Sequence, residues 1–225
     1  MSALENDDKI KSTADLQFLK LKTAKLSSVD LSKKGSIDEP IRPLIRKLNN
    51  LQDYFSLSSC SGRVMIASKE RNNDKQNISW HANLHHCPSY DELKNNLKGQ
   101  NTILKYEPFV LHVQCKDFMA AKPLLSHALQ SGFRNSGLIP AKQGRYVLGV
   151  RSTLTLELPV TNENGEILVS ETYIEILQKT IESKFAQNDI YIKRFEESID
   201  KMVENKKENR ETLIDLENLN TSSSG

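Results

Sequence analysis

Tyr54-Phe55-Ser56-Leu57-Ser58-Ser59-Cys60-Ser61-Gly62-Arg63 is the stretch on which the fold turns, because the apolar run Val64-Met65-Ile66-Ala67 follows it directly. Before it, Ile41, Leu44, Ile45, Leu48 and Leu51 recur at helical spacing. The stretch therefore reads as a helix-to-strand connection, with a helix over 39–53 and a strand over 62–68. Four small hydroxyl or thiol side chains in succession, Ser58 to Ser61, fill no core. Small side chains admit a ligand close to the backbone, and Gly62 accepts dihedrals that other residues resist. Arg63 adds a fixed fork of donors suited to a phosphate or carboxylate. Serine also simply suits turns, so local chemistry leaves a plain turn and a ligand-facing wall both open.

Upstream, Ser36 or Asp38 is placed to cap the 39–53 helix, with Pro40 in its first turn. The segment 30–40 reads as a turn-rich linker pivoting on Gly35. Residues 15–25 alternate Leu16, Phe18 and Leu19 with Lys20, Lys22 and Lys25, the pattern of a short basic amphipathic helix. Residues 1–14 are polar without periodicity, predicting a mobile arm and no secretory signal.

Downstream, a charged loop over 69–77 leads to a second strand over 78–85 that carries Trp80, the only tryptophan. A short helix over 91–98 and a strong central strand over 107–115 follow. The next helix, 117–131, contains Pro123, so it starts late or bends there. Strands are predicted near 133–139, 145–152 and 153–160, with a turn at Asn164-Gly165. A long helix spans 171–204, with Tyr173, Leu177, Ile181, Phe185, Ile192, Phe195 and Ile199 on one face and a capping box from Thr172 and Glu175. About seven strands interleaved with helices predict an α+β fold, a mixed β-sheet packed with helices. The organisation is a 1–29 arm, one domain over 30–205 and a disordered polar tail over 206–225.

In 225 residues, 37% hydrophobic and 27% charged is an ordinary soluble composition. No apolar run approaches the roughly 20 residues that span a bilayer. Cys60, Cys87 and Cys115 are odd in number and widely spaced, which fits reduced thiols in the cytosol or nucleus; a cytoplasmic location is expected. The small net charge of +2 hides an asymmetry. Residues 60–151 hold 13 Lys and Arg against 6 Asp and Glu, whereas 152–225 hold 8 against 15. A basic centre suits a polyanion such as RNA, and two opposed faces attracting each other within the fold would leave the same pattern.

Several chemistries are disfavoured. On a strand, His81 and His85 share a face but lie about 13 Å apart, too far for one ion, and no CxxC supports a metal. Neither GxGxxG nor GxxxxGK[ST] occurs, so the Rossmann and P-loop accounts fail. His112 on the central strand reads either as a satisfied core histidine or as a base. Between Gly132 and Gly137, Phe133-Arg134-Asn135-Ser136 sets a ring, a guanidinium, an amide and a hydroxyl side by side, as RNA contact requires. The plainer account is Gly132 as a helix C-cap and Phe133 packed inward.

Taken in order, Asp30-Leu-Ser-Lys-Lys-Gly-Ser-Ile-Asp38, Ser58-Ser-Cys-Ser-Gly-Arg63, Glu107-Pro-Phe-Val-Leu-His-Val-Gln-Cys115, Gly132-Phe-Arg-Asn-Ser-Gly137 and Val150-Arg-Ser-Thr153 resemble the family of the third enzyme of wybutosine synthesis, over about residues 20 to 200. Trp80 with His85 also sits where that family has a Trp and a His ending a strand, although His81 replaces an apolar residue. The resemblance implies a fold of the family's own and S-adenosylmethionine-dependent methylation of N4 in the partly built wybutosine beside the anticodon of phenylalanine tRNA. His85, His112 and Asp38 are then the candidate proton acceptors. Arg63, Arg134 and Arg151 would anchor tRNA phosphates or the cofactor carboxylate. Ser59, Cys60, Ser61 and Gly62 would form the pocket wall, Phe133 or Trp80 would stack on a base, and Asn135, Ser136 and Ser152 would complete the binding surface. Cys60 is not expected as a nucleophile, since the target nitrogen alone attacks the methyl group. A non-catalytic RNA-binding module with the same basic face is the alternative.

Overall fold

Two long antiparallel strands carry the molecule, β1 (Tyr54–Lys69) and β3 (Thr102–Cys115), paired from Tyr54↔Cys115 to Ser68↔Thr102. In the computed structural model, residues 2–28, 36–69, 78–141 and 145–222 are described. The expected linker around Gly35 and the body of the charged loop, 70–77, lie outside them.

The first correction concerns 54–61, expected as a helix end and turn, which is strand throughout. The helix stops early. A 3-10 turn, Glu39–Ile41, leads into α2 (Arg42–Asn50), and Leu51 is already extended at ψ 137. Tyr54, Phe55 and Leu57 are strand formers, and the serines after them pair against Leu111 and His112 of β3. Along β3 the buried positions run Thr102, Leu104 and Tyr106, then shift parity to Phe109, Leu111, Val113 and Cys115. The shift falls at the Gly62↔Pro108 pair, where Gly62 has φ 121, a value side-chain-bearing residues rarely adopt. Gly62 thus lets two long strands present one side to two successive cores.

The strand order is β2-β1-β3-β5-β4, with β6 also against β3, and every pairing is antiparallel. Here β2 is Ile78–Leu84, β4 Gly137–Pro140, β5 Tyr146–Arg151 and β6 Leu156–Pro159. The α+β class is as expected, and its sheet is antiparallel throughout, although helices lie between β2 and β3 and between β3 and β4.

One core joins α2, β3, β5, α4 (Phe118–Gln130) and the middle of α5 (Glu171–Ser222), around Tyr54, Phe109, Phe133 and Phe195. The other joins β1, β3, α3 (Tyr90–Asn96) and the start of α5, around Val64, Leu104, Tyr106 and Ile181. Helix α5 therefore straps both cores. It runs past the expected end at 204 because no Gly or Pro interrupts it. Its start is closed by Ser170, whose hydroxyl accepts from Tyr173 N at 3.2 Å, in place of the expected Thr172 box. Helix α1 (Ser2–Ser27) likewise begins well before residue 15. Pro123 lies within α4, which starts at Phe118 under an Asp117 cap, Ala120 N donating at 2.7 Å. Among the described residues no helix is long and apolar enough to cross a membrane.

Candidate active site

Asp38 stands at the N-cap position before the 3-10 turn, yet its side chain caps nothing there. The carboxylate turns to β1 instead, where Oδ2 accepts from Ser61 N at 2.8 Å and from Ser61 Oγ at 3.0 Å. It is 5% exposed. His85, just past the end of β2, brings Nδ1 to 3.3 Å from the same oxygen, and Cys60 Sγ lies 3.7 Å from that nitrogen. With its proton on Nδ1, the imidazole donates to Asp38 and keeps Nε2 as a lone pair. The carboxylate thus fixes tautomer and ring orientation, the logic of an oriented general base.

Asp38, Cys60 and His85 also offer an oxygen, a sulfur and a nitrogen within 4.8 Å of one another, a set that could hold a metal ion. A metal would need Nδ1 as a lone pair, whereas an Nδ1 proton turned to the Asp38 carboxylate would occupy that atom. The other pairing weighed from the sequence does not form: His81 Nε2 bonds Ser68 Oγ at 2.9 Å.

Behind Ser61 lies Asn188 of α5, fully buried. Its amide donates to Ser61 O at 2.8 Å and accepts from Phe109 N at 2.7 Å, so one side chain pins β1 to β3 beside Gly62. Sequence reasoning passed over it, although a polar residue within the apolar stripe Phe185, Ile192, Phe195 was a readable signal.

Three residues back along β1 is a second cluster. Ser58 Oγ lies 2.9 Å from His112 Nδ1, and Arg151 Nη2 lies 3.1 Å from His112 Nε2. A guanidinium only donates, so Nε2 accepts and Nδ1 carries the proton towards Ser58. Burial, and then the Arg151 charge, push the His112 pKa down, keeping the ring neutral. The 132–137 loop frames this arginine: Arg151 N donates to Ser136 Oγ at 3.0 Å, and Asn135 N to Arg151 O at 3.2 Å.

Between α1 and β1 opens a pocket of ≈ 420 Å³, lined among others by Lys25, Leu26, Ile37, Asn49, Ser58 and Ser59. Helix α1 is held there by a Phe18–Phe55 ring contact at 5.3 Å and a Lys116–Asp15 ion pair at 2.8 Å. Lys25 is a site residue the sequence reading left in a packing helix.

Two expectations are corrected, for Arg63 and Phe133. Arg63 is not a free anchor, because Glu107 opposite it on β3 takes its guanidinium at 2.9 and 3.1 Å. Phe133 cannot stack on a base: it is fully buried against Phe109, Tyr191 and Phe195, so the plainer account of that loop holds. Trp80 is exposed but faces Ala67, five residues along β2 from His85 and about 17 Å away. Ser152 is buried, its hydroxyl accepting from Leu154 N at 3.1 Å, and Arg134 is exposed. Burial raises the Cys60 thiol pKa, which makes it a poor nucleophile.

An Asp–His pair and a serine-lined pocket, on an antiparallel sheet with no doubly wound unit among the described residues, make up the candidate site of an enzyme. The family described as Methyltransferase TYW3 matches residues 15–201, and the chain belongs to that family. The Xenopus laevis tRNA wybutosine-synthesizing protein 3 homolog is 43% identical over 180 residues, covering 78% of this chain and 71% of that protein. A Methanocaldococcus jannaschii protein named tRNA(Phe) 7-((3-amino-3-carboxypropyl)-4-demethylwyosine(37)-N(4))-methyltransferase is 31% identical over 190 residues, 82% of this chain and 98% of that one. A solved structure of a Pyrococcus horikoshii protein superposes with TM-score 0.68 at 28% identity, covering 88% of this chain and 98% of that chain.

Proposed function

We propose that this methyltransferase transfers a methyl group from S-adenosylmethionine to N4 of the partly built wybutosine base in phenylalanine tRNA, within the cytoplasm. The observation that carries the reading is the Asp38–His85 pair beside the serine-lined pocket. The substrate follows the names of the archaeal relatives.

The pocket fits the cofactor in size and chemistry. Its ≈ 420 Å³ falls in the range of small-molecule sites. Lys25 forms no ion pair among the described residues, and with the Ser58 and Ser59 hydroxyls it would hold a zwitterionic amino-acid end. When bound, S-adenosylmethionine supplies an electrophilic methyl on a sulfonium. The ring nitrogen gives up a proton as it gains the methyl, and His85 Nε2 takes that proton while Asp38 steadies the imidazolium. Ser61 and Asn188 hold Asp38 and its strand in register. Exclusion of water by α1 and the orientation of the base supply the rest of the rate. Arg134, exposed and without an acidic partner among the described residues, faces the polyanion. The body that does this is taken as residues 30–205, joined by the carboxy-terminal half of α1.

The test supplies labelled S-adenosylmethionine and phenylalanine tRNA carrying the demethylated base. Label entering the RNA supports the reading. Salt-sensitive tRNA binding without any label transfer would make the chain an RNA-binding module instead.

A further inference from the structure

We propose that Arg151 reads the carboxylate of the 3-amino-3-carboxypropyl group on the base, its guanidinium aimed by the neutral Ser58–His112 pair. This rests on the function proposed above and names how that site selects its substrate.

The chemistry sets an unusual demand. The base in the name of the archaeal relatives carries a 3-amino-3-carboxypropyl group. The methionine end of S-adenosylmethionine is the same group. A site that joins the two must hold two identical zwitterionic ends and keep them apart, so it needs two carboxylate-binding cations in different places.

The serine strand has one on each side. Lys25 of α1 lines the pocket, and Arg151 lies across β3 beyond His112; neither has an acidic partner among the described residues. Arg63, which is nearer the sequence motif, is neutralised by Glu107. His112 accepts one of the five guanidinium N–H donors and adds no negative charge, so Arg151 keeps an uncompensated charge and most of its fork. Such a fork matches a carboxylate in two parallel hydrogen bonds.

Arg151 reaches diagonally across the sheet to His112, whose partner on β5 is Gly149. A Cβ at 149 would crowd Ile139 Cδ1 at 2.9 Å and touch Arg151 Nε at 3.4 Å, so the glycine serves the packing of Ile139 first and leaves the guanidinium's path open. Ser58 is three residues from Ser61, about 10 Å along a strand. A tricyclic base with its target nitrogen at His85 and its extended side chain turned to Arg151 would have to cover a distance of this order.

The test compares initial rates at low tRNA concentration on phenylalanine tRNA carrying 7-(3-amino-3-carboxypropyl)-4-demethylwyosine and on the same tRNA carrying 4-demethylwyosine. Wild type should prefer the first by about 10- to 100-fold, the worth of a charge-assisted pair. Arg151→Met should bring the ratio within a few-fold of one by losing rate on the first substrate alone, and Arg151→Lys should fall between. S-adenosylmethionine affinity, measured by equilibrium dialysis, should not change. Each ratio comes from one preparation, so a partly unfolded variant does not distort it. Equal rates on both substrates by wild type would overturn the proposal. So would an equal loss on both in Arg151→Met, the mark of a phosphate contact, or loss of cofactor affinity, the mark of the donor's own carboxylate. Failure of wild type to methylate either tRNA would overturn the proposed reaction itself, a distinct result.

Discussion

Asp38 does two things that no local pattern distinguishes. In sequence it is an acid before Pro40, the signature of a helix cap. In the fold it gives up the cap and spends one oxygen on Ser61 N, Ser61 Oγ and His85. The sequence reading named Asp38, Cys60, Ser61 and His85 one by one, as cap, pocket wall or candidate base; it could not see that they converge, since 23 and 24 residues separate each from the next group. The reading of Arg63 and Phe133 failed for a related reason. A cation or a ring is legible in sequence, but its partner, Glu107 or Phe109, comes from a distant strand. At this scale His85→Gln keeps a donor of similar size but removes the basic nitrogen. Methyl transfer should fall by roughly 10²–10⁴ with little change in S-adenosylmethionine affinity or melting temperature. Activity within tenfold of wild type would move the base elsewhere.

Element by element, the helices and the central strand were legible from apolar spacing, and β1 was not. Its Ser-rich half has the composition of a turn, and only its pairing with β3 makes it a strand. The long-range device that holds this half in place is Asn188. Asn188→Ala leaves Ser61 O and Phe109 N buried without partners, at about 1–3 kcal/mol for each. The urea midpoint should drop accordingly, and kcat should fall further than the folded fraction explains, because Ser61 carries Asp38. A variant equally active per folded molecule would reduce Asn188 to a structural tie.

The whole molecule combines an antiparallel sheet, two cores on one side and a helix strapping both, so its stability reports groups spread through the body. Burial pushes His81, His112 and His127 below their ordinary value of 6.5. The unfolded chain therefore takes up protons first, and stability should fall as pH drops below about 6.5. Cys115 is pushed up to about 12, and Cys60, Cys87, Tyr54 and Tyr106 are raised as well, all with burial as the main cause. There the unfolded chain loses protons first, so stability should fall again above about 9. Urea midpoints across this range should trace a plateau between the two limits; a monotonic curve would contradict the burial of these groups. The antiparallel body carries no nucleotide fingerprint, and its chemistry rests on one claim about where a methyl group goes. Mass spectrometry of the nucleoside at position 37, after the protein has acted on phenylalanine tRNA with S-adenosylmethionine, tests it directly. The account predicts one added methyl, on N4 of the aminocarboxypropyl base and only when the cofactor is present. A methyl on any other atom or nucleoside, or none at all, would contradict it.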